Sequence, residues 1–192
     1  RSLDAGVDMI EHALFVEPDD SYVFDDGIAE RIATQGVIIS PTVQTGYRAR
    51  QAMLEKREKG PLTPDQQEAL DHAQYKYECQ VSAVTRFRSE WGIPIVFGTD
   101  APPHDLDASR SFGTYPIGLE LKLLAEAGMG PLEIINAATG VAAKSVGIGD
   151  SVGTLEVGKE ADIIVANGDP VGNILSLTDL GMVMKGGLVI DR

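Results

Sequence analysis

Cysteine is nearly absent from this chain. A single residue, Cys79, rules out an intrachain disulfide and predicts a cytoplasmic protein. Basic residues are also scarce. Sixteen Lys and Arg face 29 Asp and Glu, for a net charge of −13. That balance excludes the basic stripe that supplies most nucleic-acid affinity, and it disfavours docking to anionic membranes. No apolar run approaches the ~18 residues of a membrane span. The opening "RSLDAGVDMIEHA" carries neither an initiator methionine nor a signal peptide and turns apolar at once. It reads as the interior of a domain. There is no internal repeat and no low-complexity tract.

What is present is a globular balance: 192 residues, 43% hydrophobic and 23% charged. "GVDMIEHA" reads as a short strand ending at Glu11-His12. "DDGIAERIATQG" reads as a helix with Ile28 and Ile32 on one face, Asp25 or Asp26 as cap and Gly36 as stop. "VIISPT" is an apolar strand of the kind buried on both faces of a parallel sheet. Residues 48–59 read as a charged helix broken by Gly60-Pro61. Thr63, Pro64 and Gln66 then spell a capping box for a helix reaching about Glu90, with Leu70, Ala73, Tyr77, Val81, Val84 and Phe87 as its apolar stripe. "GIPIVFGTD" reads as a third strand. The order βαβαβ implies parallel strands joined by helical crossovers. "IGLELKLLAEAG" and "PLEIINAATGVAAKSVG" read as two more helices, the second opened by Pro131. After Gly149 short strands alternate with glycine turns, a unit too small to bury a core alone.

Three strands end in polar groups: His12, Ser40-Pro41-Thr42, and Thr99-Asp100. In parallel α/β folds, functional residues gather at such carboxyl ends. Histidine and aspartate both suit zinc or a similar divalent metal, and an aspartate beside an activated water accepts its proton. Each also has an ordinary reading, the histidine as a hydrogen-bonded structural residue and the aspartate as a turn or helix cap. Three protein ligands are usual for catalytic zinc, so two do not complete a site. The residues alone therefore specify an incomplete polar site on a parallel barrel or sheet. His104, after Pro102-Pro103, reads either as a solvated loop residue or as a group orienting substrate. His72 reads as surface and Cys79 as packing.

The motifs "GVDMIEHA", "VIISPT", "GIPIVFGTDA", "ATGVAAKSVGIGDSVGTLEVGKEADIIVANGDP" and "VMKGGLVID" together resemble the C-terminal half of an amidohydrolase-superfamily enzyme, of the imidazolonepropionase-like and prolidase-like group. The stretch from Gly153 to Pro170 is the most specific. The resemblance implies an α/β chain supplying strands six to eight of a (β/α)8 TIM-type barrel over residues 1–148, and part of a small β-sandwich over 149–192. It implies a divalent metal, zinc above others, held by His12 and Asp100, with Asp100 also moving the proton. It implies hydrolysis of a C–N bond in an amide, cyclic amide or short peptide. Tyr47, Arg48, His104 and Arg110 are the candidates for binding substrate, on or beside a loop containing Thr42, Gln44 and Thr45 or close to Asp100. Asp162 is implied to be structural. The family's other ligands have no counterpart after Arg1, which implies a piece of a protein of ~400 residues. The missing half-barrel, or a second copy, would then be the partner. Two other readings stand beside this one: a non-catalytic half-barrel that pairs with another polypeptide, and a deaminase of the same superfamily.

Overall fold

The computed structural model describes residues 1–100 and 116–190. The first strand, β1 (Met9–Glu11), leads into a helix, α1 (Asp26–Gln35), whose limits follow from local chemistry. The Asp25 carboxylate accepts the Ile28 N–H at 2.9 Å, and Gly36 closes the helix in the left-handed conformation at φ 68°. Its inner face buries Ala29 and Ile32. The chain then enters β2 (Ile38–Ser40), all three residues of which are buried. β1 and β2 pair in parallel, with Met9 opposite Ile38, Ile10 opposite Ile39 and Glu11 opposite Ser40.

Two antiparallel helices form the next crossover. α2 (Gln44–Lys59) begins four residues ahead of the charged run that predicts it. α3 (Pro64–Ser89) starts on the expected capping box: Thr63 Oγ1 accepts from the Gln66 N–H at 3.3 Å, and Gln66 Oε1 accepts from the Thr63 N–H at 3.0 Å. Leu70, Ala73, Val84 and Phe87 are buried as the stripe requires, and Tyr77 and Val81 pack at its margin.

The expected third strand is reduced to one parallel bridge, Ile39 to Ile95. The Ile39 N–H donates to Pro94 O at 3.0 Å and the Val96 N–H to Ile39 O at 2.9 Å. Extending this ladder backward needs an N–H from residue 94 and extending it forward needs one from residue 41. Both are prolines, which have none. Ile95 nevertheless lies beside β2, so three chain segments run side by side with their carboxyl ends together.

α4 (Pro116–Glu126) and α5 (Pro131–Ala138) cover the core with Leu121, Leu123, Leu124 and Ile134, all fully buried. The single helix expected after Pro131 is broken at Thr139 (φ −128°, ψ −86°), and α6 (Gly140–Ser145) follows. The Gly153 turn packs into this break. A Cβ on Gly153, at φ 95°, would stand 2.6 Å from the Ala143 Cβ.

The final segment is an antiparallel sheet in the order β3 (Ile163–Ala166), β4 (Leu180–Lys185), β5 (Leu188–Val189). Gly186 and Gly187, both at positive φ, make the tight hairpin between β4 and β5. Asp162 holds that hairpin by accepting the Gly186 N–H at 2.8 Å and pairing with Lys185. A 3-10 turn, Ile174–Thr178, pins the segment to the main core through buried Ile174. Among the described residues no helix is long and apolar enough to cross a membrane. The described chain is thus an α/β structure.

Candidate active site

The carboxyl ends of β1, β2 and the Ile95 segment open into one cleft of about 410 Å³, lined by Glu11, His12, Ser40, Thr42, Gly98 and Asp100 among others. His12 Nε2 and Asp100 Oδ2 face each other at 3.8 Å, and both side chains are about half exposed. Residues far apart in sequence are brought together because their strands flank β2.

The backbone at all three strand ends is turned the same way. His12 (φ 64°), Thr42 (φ 46°) and Asp100 (φ 45°) lie in the left-handed region, shared among the described non-glycine residues with only Ala13 and Asp20. Such conformations cost ~1–3 kcal/mol each and gather where the surrounding structure requires them. For the β-branched Thr42 the conformation is a genuine outlier. At His12 it forms a tight three-residue turn, with the Ala13 N–H donating to Glu11 O at 2.7 Å, while the His12 N–H donates to Ser40 O at 2.7 Å. Gly98 lets the segment approach β2 closely, since a Cβ there would stand 2.6 Å from Ser40 Oγ and force that hydroxyl to move.

One hydrogen-bond chain fixes the imidazole. Thr42 Oγ1 donates to Pro41 O at 2.8 Å, which commits its only hydrogen. It therefore accepts from His12 Nδ1–H at 2.6 Å. The tautomer this assigns leaves Nε2 with its lone pair directed into the cleft, toward Asp100. An ordered pair of one imidazole nitrogen and one carboxylate oxygen is a donor set that suits a divalent metal. A tetrahedral zinc with ordinary bonds separates such ligands by ~3.4 Å, so only a small closure is needed from the observed separation. His12 and Asp100 thus fit as two ligands. Among the described residues no group of three or more His, Cys, Asp or Glu is placed to hold an ion.

A second layer stands behind these groups. The Val43 and Gln44 N–H groups, at the start of α2, donate to Glu120 Oε1 and Oε2 at 2.9 and 2.8 Å. The Gln44 amide donates through Nε2 to Thr99 O at 2.5 Å. Glu120 is fully buried on α4, and burial pushes its carboxyl up to about 7 against the two N–H bonds that hold it down. Glu120 is not among the residues that the sequence pattern singles out. Its one signal is a carboxylate among the leucines of "LELKLL", a run whose other charged residue, Lys122, is exposed.

The remaining candidates sit elsewhere. Tyr47, in the first turns of α2, accepts from Gln51 Nε2 at 2.7 Å and packs edge-on against Tyr77, with ring centroids 5.6 Å apart. Arg48 follows it, partly exposed. His104 and Arg110 lie outside the described residues. His72 is exposed beside Tyr22, and Cys79 is half-buried at a separate cavity with Leu14, Phe15 and Phe24.

Several known proteins are similar to this chain in sequence or in fold. The imidazolonepropionase of Thermoplasma volcanium is 33% identical over 105 residues, covering 53% of this chain and 24% of that protein. That of Geobacillus kaustophilus is 33% identical over 102 residues, covering 52% and 23%. Among solved structures, a Xaa-Pro dipeptidase with bound methionine in its active site matches at TM-score 0.71 and 27% identity, over 100% of this chain and 41% of that one. An ochratoxinase from A. niger matches at TM-score 0.71 and 26% identity, over 98% and 38%. The chain therefore spans less than half the length of these relatives. The model of the amidohydrolase family matches residues 1–190, and the chain belongs to that family.

Proposed function

We propose that the complete protein is a metal-dependent hydrolase of C–N bonds, built on a (β/α)8 barrel to which this chain contributes the last three strands. The observation that carries the reading is the facing pair His12 and Asp100, 3.8 Å apart at the carboxyl ends of parallel segments. His12 Nε2 and Asp100 Oδ2 would hold a divalent metal, zinc by donor type, with further ligands from sequence before Arg1. When bound, such an ion supplies Lewis acidity toward a carbonyl oxygen and a more acidic water.

The rest is done by side chains. Asp100 takes a proton from the attacking water and returns it to the leaving nitrogen. Thr42 keeps His12 in the tautomer that offers Nε2. By sequence position alone, Arg48 is the candidate for a substrate carboxylate and His104, four residues after Asp100, the candidate for orienting substrate. The substrate class that fits is a short peptide, such as a Xaa-Pro dipeptide, or a cyclic amide, in line with the similarity to a Xaa-Pro dipeptidase and to imidazolonepropionases. The test is Asp100→Asn in the complete protein against a panel of Xaa-Pro dipeptides and cyclic amides. A loss of at least ~100-fold in kcat is expected, and a near-normal rate would sink the assignment. Release of ammonia in place of an amino acid or ring-opened acid would point to the deaminase alternative.

A further inference from the structure

We propose that the start of α2 is the positioning hub of the site, anchored by the buried Glu120 and acting on both cleft residues through Thr42 and Gln44. The inference rests on the hydrolase reading for its consequence, though not for its geometry. α2 has no cap of its own: the residue before it is Val43, which offers no side-chain acceptor. Its first N–H groups are instead satisfied by a carboxylate from a helix more than 70 residues later in the chain. Each oxygen of Glu120 takes one N–H, so the helix start is held at two points and cannot rotate about either.

Two arms leave that fixed point. Thr42, immediately before the anchored turn, holds His12 through Nδ1. Gln44, inside the turn, holds the carbonyl of Thr99 and so the plane of the Thr99–Asp100 peptide. The orientation of the Gln44 amide is dictated, because a flip would bring its oxygen against Thr99 O. Gln44 Oε1 is then buried without a hydrogen-bond partner among the described residues. A buried unpaired amide oxygen is costly, and a methionine or leucine would pack there without that cost. Glutamine at this position is explained by the carbonyl it holds. Glu120 and Gln44 are not among the residues that line the cleft, and both bond to backbone groups, so they are positioning residues.

The test uses the complete protein at about pH 8.5, above the range where burial places the Glu120 transition. E120Q and Q44M are compared with the unsubstituted protein in two arms. Without metal, hydrogen exchange is read at the Val43 and Gln44 amides. With cobalt(II), the dissociation constant is read by chelator competition, together with the visible absorption of the ion, kcat and KM. The hub predicts exchange at least ~10-fold faster at the two amides in E120Q. It predicts cobalt binding ~10–100-fold weaker in both variants, an altered cobalt spectrum, and a fall in kcat with KM little changed. A folded E120Q or Q44M with the parental cobalt affinity and spectrum overturns the proposal. Should E120Q fail to fold, Q44M, which leaves the cap intact, decides it by the same measure. Should the unsubstituted protein take up no cobalt, the hydrolase reading falls, and exchange at the two amides then judges the anchor alone: unchanged rates in E120Q overturn it, faster rates support it.

Discussion

Glu120 makes a prediction about stability that needs no substrate. Its carboxyl is fully buried and is raised from 4.5 to about 7, by burial first, with the Val43 and Gln44 N–H bonds working in the opposite direction. Between those two pH values the folded chain holds a proton that the unfolded chain has released. The stabilising contribution is therefore complete below about pH 4.5 and is lost as pH rises through 7. A shift of this size corresponds to about 3 kcal/mol over that window. E120Q cannot titrate, so the difference between parent and variant isolates the group from the other acidic residues. The substitution adds a pH-independent offset, since the new amide sets an N–H donor against one of the two backbone donors, at ~1–3 kcal/mol. The assay is urea unfolding of both proteins at steps from pH 4.5 to 8.5. The parent should lose about 3 kcal/mol relative to E120Q between about pH 4.5 and 8. Parallel curves would refute the reasoning, for they would mean that Glu120 is already ionised and well solvated.

Thr42→Val keeps the shape of the side chain and removes the acceptor of His12 Nδ1–H. Metal affinity should fall ~10–100-fold by chelator competition, and Thr42→Ser should restore it. Gly98→Ala should lower stability by ~1–3 kcal/mol in thermal unfolding, because its Cβ falls on Ser40 Oγ, and the double variant with Ser40→Ala should recover much of the loss. Thr63→Ala removes one half of the α3 capping box and should cost ~1 kcal/mol in the same assay while leaving kcat unchanged.

Where a boundary is made by neighbours in sequence, it was legible. Asp25, Gly36 and the Thr63-Pro64-Gln66 box each act within a few residues, and the helices begin and end where they say. α2 starts earlier than its charged run predicts because its cap, Glu120, comes from another helix. The third strand is short because Pro94 and Pro41 lie at the two positions that would extend its ladder, a fact that needs the register as well as the composition. The helix after Pro131 breaks because the distant Gly153 turn packs into it. At the site, the types and strand-end positions of His12 and Asp100 could be read. Their separation, the tautomer set by Thr42, and the left-handed backbone at three non-glycine residues could not, because each depends on contacts across the sheet.

The central claim is that His12 and Asp100 hold one metal together. The most direct test is the equilibrium zinc affinity of the complete protein, measured for the parent, His12→Ala and Asp100→Asn. Joint ligation by the two residues predicts stoichiometric zinc in the parent and a loss of at least ~10-fold in affinity in each variant, with both still folded. Zinc affinity unchanged in either folded variant, or no zinc binding by the parent, would contradict it.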